Sequence, residues 1–290
     1  MRPVNVALGA PVNKLNKKML KQRLVTAFIL IPVIVWGVLS LSSQTLAWMM
    51  GIFVVLGAWE WAGLCGWHTF LARSLYALGV GLMLLMVYWF LRQPSMLHIL
   101  LVACLWWLLA LLLVLRYQQG HDLMPTSPLI KAMLGFLILL PAWIALVILH
   151  QRYGGQWLLF LLVLIWAADS GAYFAGKRWG QNKLADKISP GKTREGVAGA
   201  LLMGLVVSVG YAIFNAMPIM RLILFILLCL LTVKASILGD LLESLLKRQA
   251  GVKDSGQLLP GHGGVLDRID SLTSAAPIFV VGLFIWELSP

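Results

Sequence analysis

The sequence predicts an all-α, polytopic membrane protein, and three observations carry that reading. Apolar runs recur along the whole chain, and roughly nine of them are long enough, or nearly so, to cross a bilayer as helices. Only 12% of the residues are charged and 60% are hydrophobic, whereas a soluble domain averages about a quarter charged residues. The runs show no period-two alternation, which excludes a transmembrane barrel, and in lipid only helices and closed barrels satisfy their backbone groups.

The spans are placed at roughly 24–41, 45–59, 72–91, 98–115, 129–149, 157–175, 196–214, 219–243 and 272–286. The second and the last are short for a full crossing and are expected to tilt or to be partly re-entrant. Lys14, Lys17, Lys18, Lys21 and Arg23 precede the first run in the manner of a secretory signal. No small-residue cleavage site follows and further spans do, so this segment reads as a retained first helix. Residues 1–18 lack periodicity and read as a polar extension, with Met19 as an alternative start. Of the 23 Lys+Arg, only Arg92, Arg152 and Arg221 fall in the loops opposite the N-terminus, and Lys131 and Lys234 fall inside spans. The positive-inside rule therefore predicts a cytoplasmic N-terminus and an external C-terminus. The formal net charge of +12 is thereby gathered on the face where anionic head groups and nucleotides are met.

In the first half, Trp48, Trp59, Trp61, Trp67, Trp106 and Trp107 lie mostly near predicted span ends and read as interfacial anchors and packing. Cys65, Cys104 and Cys229 lack metal-ligand spacing and read as small hydrophobes. From residue 166 onward the character changes. Asp169 lies inside the sixth span, a basic loop runs from Gly176 to Glu195, and the eighth span carries Lys234, Asp240 and Glu243. A carboxylate at mid-bilayer costs about 2.5–3.5 kcal/mol on insertion scales, so such groups imply compensation by cations, metal or water.

Asp240, Glu243, Ser244 and Lys247 recur at i, i+3, i+4 and i+7, so a helix places them on one face. Arg248 adjoins that stripe and Lys253 follows it. Pro260-Gly261-His262-Gly263-Gly264 cannot be helical and predicts a tight loop that brings backbone amides to a ligand. Asp267, Arg268 and Asp270 come next, at the mouth of the last span. Carboxylates beside lysines and arginines suit a Mg²⁺–polyphosphate site, since magnesium binds through one or two carboxylates plus phosphate oxygens and arginine offers a bidentate fork. His262 either orients a phosphate or makes a structural loop bond. Ser189-Pro190-Gly191-Lys192-Thr193 invites a P-loop reading, but Asp186 stands where that pattern needs glycine. What remains is a phosphate-contacting loop at the start of the seventh helix, or a generic basic loop.

The string Ser244-x-x-Lys247-Arg248-x4-Lys253-Asp254-x-Gly256-x-x-Leu259-Pro260-x-His262-Gly263-Gly264-x-x-Asp267-Arg268-x-Asp270 resembles the signature of the CDP-diacylglycerol synthases, or phosphatidate cytidylyltransferases. Ala168-Asp169-Ser170-Gly171-Ala172-Tyr173, Ser189 to Thr193, and Gly239-Asp240-Leu241-Leu242-Glu243-Ser244 support the likeness. Asp186 and Arg194 depart from it, where proline and an aromatic residue are frequent. The resemblance implies an enzyme of the cytoplasmic (inner) membrane that converts phosphatidate and CTP to CDP-diacylglycerol and pyrophosphate, with its site facing the cytoplasm. It implies Mg²⁺ on Asp240 and Asp267, with a second, monovalent cation left open. Lys247, Arg248 and Arg268 would neutralise phosphates, supported by Lys192 and Lys253. Ser244, His262, Gly263 and Gly264 would orient them, with Asp169, Glu243 and Asp270 around that shell. The expected organisation is a basic extension over 1–23, N-terminal helices over 24–160 and a catalytic unit over 161–290. No nucleic-acid partner is expected, and a homodimer stays open. Two rivals remain: a transporter, whose mark would be intramembrane Asp and Lys, and a lipid-phosphate transferase of another kind, such as a CTP-dependent polyprenol kinase.

Overall fold

The computed structural model describes residues 31–90, 95–258 and 263–287. The basic extension, residues 24–30 of the first predicted span, Arg92 and His262 lie outside the described residues. A short apolar helix, α1, covers Ile31–Ser40. Eight longer helices follow, all long and apolar enough to cross a membrane. They are α2 Ser43–Leu64, α3 Phe70–Phe90, α4 Ser95–Gln118, α5 Pro128–Ile148, α6 Gly155–Trp179, α7 Arg194–Phe214, α8 Ile219–Gln249 and α9 Leu266–Glu287. A π-helical turn, Leu149–Tyr153, extends α5, and a two-stranded hairpin joins α6 to α7.

The second and last spans are full-length helices of 22 residues, longer than the apolar pattern suggested. Each begins or ends in polar residues that fold inward: Glu60 on α2, and Asp267 and Asp270 on α9. A helix interior meets the hydrogen-bonding needs of its own backbone, so a span can include acids wherever neighbouring helices supply partners. The basic loop is also shorter than expected, because Gly176 to Trp179 belong to α6. Within it, β1 (Lys183–Ala185) pairs antiparallel with β2 (Ser189–Thr193), and Lys183 faces Thr193.

The sequence rationalises the packing. On α3, Leu71, Leu75, Leu78 and Leu82 are exposed, while Val80, Leu84 and Val87 on the other face are buried. On α4, Leu101, Leu105, Leu108 and Leu112 are exposed opposite buried Leu100, Ala103, Trp107 and Ala110. Exposed leucine stripes of this length mark contact with lipid rather than water. Three of the expected interfacial tryptophans, Trp61, Trp106 and Trp107, are buried in the core. Trp61 donates Nε1–H to the Lys131 carbonyl at 2.9 Å.

Helices α6 and α7 form one tightly packed pair, and α8 and α9 another. Lipid tails are as apolar as leucine, so helix association in a bilayer relies on close packing of small residues. Gly199 of α7 faces Gly171 and Ala175 of α6, and Gly176 lies against Thr193 and Gly196. A Cβ on Gly171 would sit 2.5 Å from the Gly199 carbonyl oxygen. On the other pair, Gly239 lies against Asp270 and Ser274, and Ser274 Oγ donates to the Ala235 carbonyl at 2.6 Å. Gly199→Val is therefore expected to part α6 from α7 and cost at least about 2–3 kcal/mol by overpacking. Loss of the monodisperse peak in detergent gel filtration would register it, and a wild-type profile with wild-type melting would contradict it.

Candidate active site

The hairpin sets one wall. Thr193 caps α7, its Oγ1 accepting the Gly196 amide at 3.1 Å. Asn182 stitches the hairpin base to α7, accepting Arg194 N–H at 2.9 Å and donating Nδ2–H to Glu195 Oε1 at 2.7 Å. Lys183 Nζ donates to the Pro190 carbonyl at 2.6 Å, and Ile188 is buried at the turn. These bonds aim Lys192 inward, away from the other lysines of the segment. The segment read from sequence as a loop at the start of the seventh helix is a strand that leads into the capped helix.

Between this hairpin and helices α6, α7 and α8 lies a cavity of about 390 Å³. Asp169, Tyr173, Lys177, Lys192, Thr193, Asp240 and Ser271 supply its polar lining, while Val197 and Ile237 give it apolar ground. Lys192 Nζ bonds Asp240 Oδ2 at 2.5 Å, and Ser244 Oγ donates to Asp240 Oδ1 at 3.2 Å. Lys234, considered from sequence as a partner for Asp169 or Asp240, is exposed and makes no ion pair among the described residues. At 3.6 residues per turn it lies about 120° from Asp240 around α8, on another face.

A second cluster lies where α8 meets the start of α9. The stripe predicted on α8 is helical through Gln249, but it turns inward: Glu243, Ser244 and Lys247 are buried. Lys247 Nζ bonds Asp267 Oδ1 at 2.6 Å and approaches Glu243 Oε1 at 3.4 Å. Asp267 Oδ2 also accepts the amides of Ser255 at 3.0 Å and Gly264 at 2.8 Å. Gly263 takes a positive φ of 82° beside it, which a residue with a Cβ adopts only under strain. Glu243 has no hydrogen-bond donor on either oxygen and shares the lining of a small void with Asp270, Trp61 and Trp107. A counter-charge lowers the cost of burying a carboxylate, and Lys247 is the cation beside this one.

The structure thus brings together Lys192, Asp240 and Asp169 in the cavity, with Ser244 bonded to Asp240, and Lys247, Asp267, Glu243, Asp270 and Gly264 beside it. Three expected cations stand apart. Arg248 is exposed, with Nε–H donated to the Ile188 carbonyl at 3.0 Å, which ties α8 to the hairpin turn. Lys253 and Arg268 are exposed and do not line the cavity. Glu60 was not singled out from the sequence. It is fully buried on α2 and accepts the Leu266 amide at 2.8 Å and the Ser255 hydroxyl at 3.3 Å. The signal was there, since an acid between Trp59 and Trp61 in an apolar run is an intramembrane ionisable group and a functional candidate by default.

The chain matches the model of the cytidylyltransferase family over residues 21–286. It is 43% identical over 268 residues to the phosphatidate cytidylyltransferase of Pseudomonas aeruginosa, which covers 92% of this chain and 97% of that protein. The phosphatidate cytidylyltransferase of Haemophilus influenzae is 38% identical over 282 residues, 90% of this chain and 97% of its own length. That of Bacillus subtilis is 45% identical over 136 residues, 46% of this chain and 50% of its own length. With every residue of both clusters inside the matched range, the chain belongs to the cytidylyltransferase family.

Proposed function

We propose that the cavity beside α8 is where the phosphates of CTP and phosphatidate meet, and that Lys192 and Lys247 change partners when they do. The chain is a phosphatidate cytidylyltransferase: it transfers the cytidylyl group of CTP to phosphatidate, giving CDP-diacylglycerol and pyrophosphate. The observation that carries the site reading is the pair of carboxylate–ammonium contacts, Asp240 with Lys192 at 2.5 Å and Asp267 with Lys247 at 2.6 Å. Each acid is held ready and neutralised before any polyanion arrives.

The chemistry needs little more than this. A phosphate oxygen of the lipid attacks the α-phosphorus of CTP in line, and the bond from that phosphorus to the bridging oxygen of pyrophosphate breaks. The nucleophile is already an anion, so no strong base is required, and catalysis is chiefly positioning and charge neutralisation. Lys192 and Lys247 are both assigned to the phosphates of CTP, Lys247 holding them when bound and as charge grows in the transition state. Ser244 keeps Asp240 oriented. Arg248, Lys253 and Arg268, on the exposed side, are assigned to the outer phosphates, and the Gly263–Gly264 backbone with His262 to their orientation.

Asp240 and Asp267 each offer carboxylate oxygens of the kind Mg²⁺ takes, each engaged by an ammonium that phosphate can draw away. No group of three or more His, Cys, Asp or Glu side chains is assembled for a metal among the described residues. That agrees with an ion that binds through one or two carboxylates and takes its other ligands from phosphate and water. Asp240 and Asp267 would hold it, with Asp169, Glu243 and Asp270 around them. When bound, it would supply Lewis-acid stabilisation of the phosphoryl oxygens. The positive-inside bias supports placing the site at the cytoplasmic face of the inner membrane, with the acyl chains in lipid and CTP arriving from the aqueous side. Residues 161–290 supply most of the site.

Purified protein in detergent micelles, given phosphatidate, labelled CTP and Mg²⁺, is expected to form CDP-lipid and pyrophosphate in equal amounts and to stop when the metal is chelated. Phosphatidate should outcompete a polyprenol for CTP. Solute uptake by reconstituted vesicles without CTP turnover would instead sink the enzyme reading.

A further inference from the structure

We propose that Glu60, on α2 in the N-terminal half, is a positioning residue for the reaction: it clamps the segment that holds Asp267 in place. The bonds run in sequence. Glu60 Oε2 accepts the Leu266 amide at 2.8 Å and the Ser255 hydroxyl at 3.3 Å. Ser255 and Gly264 in turn donate their own amides to Asp267 Oδ2 at 3.0 and 2.8 Å. Asp267 then receives Lys247. One buried carboxylate therefore fixes both flanks of the turn that aims the Asp267–Lys247 pair.

Two glycines show how closely the segment is fitted to this group. A Cβ on Gly256 would overlap the Glu60 carboxyl, whose atoms are its nearest neighbours. A Cβ on Gly264 would meet both Glu60 oxygens, at 2.5 and 2.7 Å, as well as the Ser255 hydroxyl. Both positions need hydrogen where the acid sits, so the glycines at 256 and 264 answer to a residue about two hundred positions away in the chain. Glu60 itself cannot drift. Trp61 beside it is anchored to the Lys131 carbonyl, and the Trp59 ring lies under the Arg73 guanidinium at 4.8 Å. Gly57, one turn back, lets α2 close onto Leu266 and Ile269 of α9. Glu60 is not among the residues that line the cavity, and its bonds run to the turn.

This inference rests on the assignment of Asp267 and Lys247 to the reaction, so Asp267→Asn is measured beside it. Four variants test it: Glu60→Ala, Glu60→Gln, Gly256→Ala, and the double Glu60→Ala/Gly256→Ala. They are assayed in detergent with phosphatidate and CTP, with turnover expressed per folded molecule. Glu60→Ala and Gly256→Ala are each expected to lower kcat about tenfold or more, with KM for CTP changed less than about threefold, as for an interaction felt in the transition state. Glu60→Gln keeps an acceptor oxygen and should stay within about threefold of wild type. The double variant should be no worse than Glu60→Ala alone, because the clash is gone, a non-additivity expected only of residues in contact. Hydrogen exchange supplies a readout independent of catalysis: in Glu60→Ala the amides of Ser255, Gly264 and Leu266 should exchange faster while those of α6 and α7 do not. Should Glu60→Ala fail to fold, Gly256→Ala and Glu60→Gln still decide the matter. Unchanged kcat in Glu60→Ala, multiplied losses in the double variant, or a glutamine variant as poor as alanine would overturn the clamp, provided Asp267→Asn is inactive. If Asp267→Asn keeps wild-type turnover, the site assignment fails instead.

Discussion

Asp267→Asn is expected to abolish Mg²⁺-dependent conversion of labelled CTP to CDP-lipid, by about 100-fold or more, the scale seen when one charge-stabilising group is lost from a reaction centre. The fold should survive. An asparagine oxygen can still accept the Gly264 amide at the place where Asp267 Oδ2 accepts it at 2.8 Å, and Lys247 keeps Glu243 at 3.4 Å. What is lost is the negative charge that holds the Lys247 ammonium and would hold the metal. Turnover measured across a Mg²⁺ titration, alongside gel filtration of the purified variant, checks both halves. Wild-type-like turnover would remove Asp267 from the metal assignment.

Lys247→Ala should be harmful in two separable ways. Its side chain is 11% exposed and lies between Asp267 and Glu243, themselves 8% and 4% exposed. Removing one partner of a buried ion pair typically costs about 3–5 kcal/mol, because the remaining charge has neither water nor counter-charge. The detergent-solubilised variant should therefore melt well below wild type. It should also need more CTP for half-maximal rate, since the ammonium assigned to phosphate is gone. Lys247→Met separates the effects, restoring packing volume without charge, so it should recover part of the stability and none of the CTP affinity. An unchanged CTP dependence in either variant would count against a phosphate role for Lys247.

The spans were legible because lipid-facing helices carry unbroken apolar runs, and eight of them appear where those runs lie. The errors share one physical cause. Hydropathy reads each residue as if it faced lipid, so Glu60, Asp267 and Asp270 seemed to shorten α2 and α9, although Leu266 of α9 answers Glu60 and Lys247 of α8 answers Asp267. The inward stripe on α8 was readable from its spacing. That it faces α9 rather than water was not, because periodicity shows which residues share a face and not what that face meets. The hairpin after α6 escaped notice for a different reason. Lys183–Ala185 and Ser189–Thr193 are too short and polar for an alternating pattern, and their pairing depends on Asn182, Glu195 and the Thr193 cap. Glu60 was missed because its partners are about two hundred residues downstream, a relation that local spacing cannot express.

The length of α8 has a consequence for substrate choice. Its 31 residues rise roughly 46 Å at the usual helical pitch, against a hydrocarbon layer of about 30 Å. From Ile219 to Asp240 the rise is roughly 32 Å, so an upright helix that starts at one edge of the hydrocarbon delivers Asp240 to the other. So oriented, the helix would serve as a depth gauge, setting the acid that receives Lys192 at the hydrocarbon edge, where the proposed site would meet a lipid's phosphate. Acyl chains of different length change what lies below that level and not the level itself. A lipid whose phosphate is lifted away from the glycerol by a spacer would overshoot it. Discrimination on this account is by altitude, with the membrane itself as the reference plane.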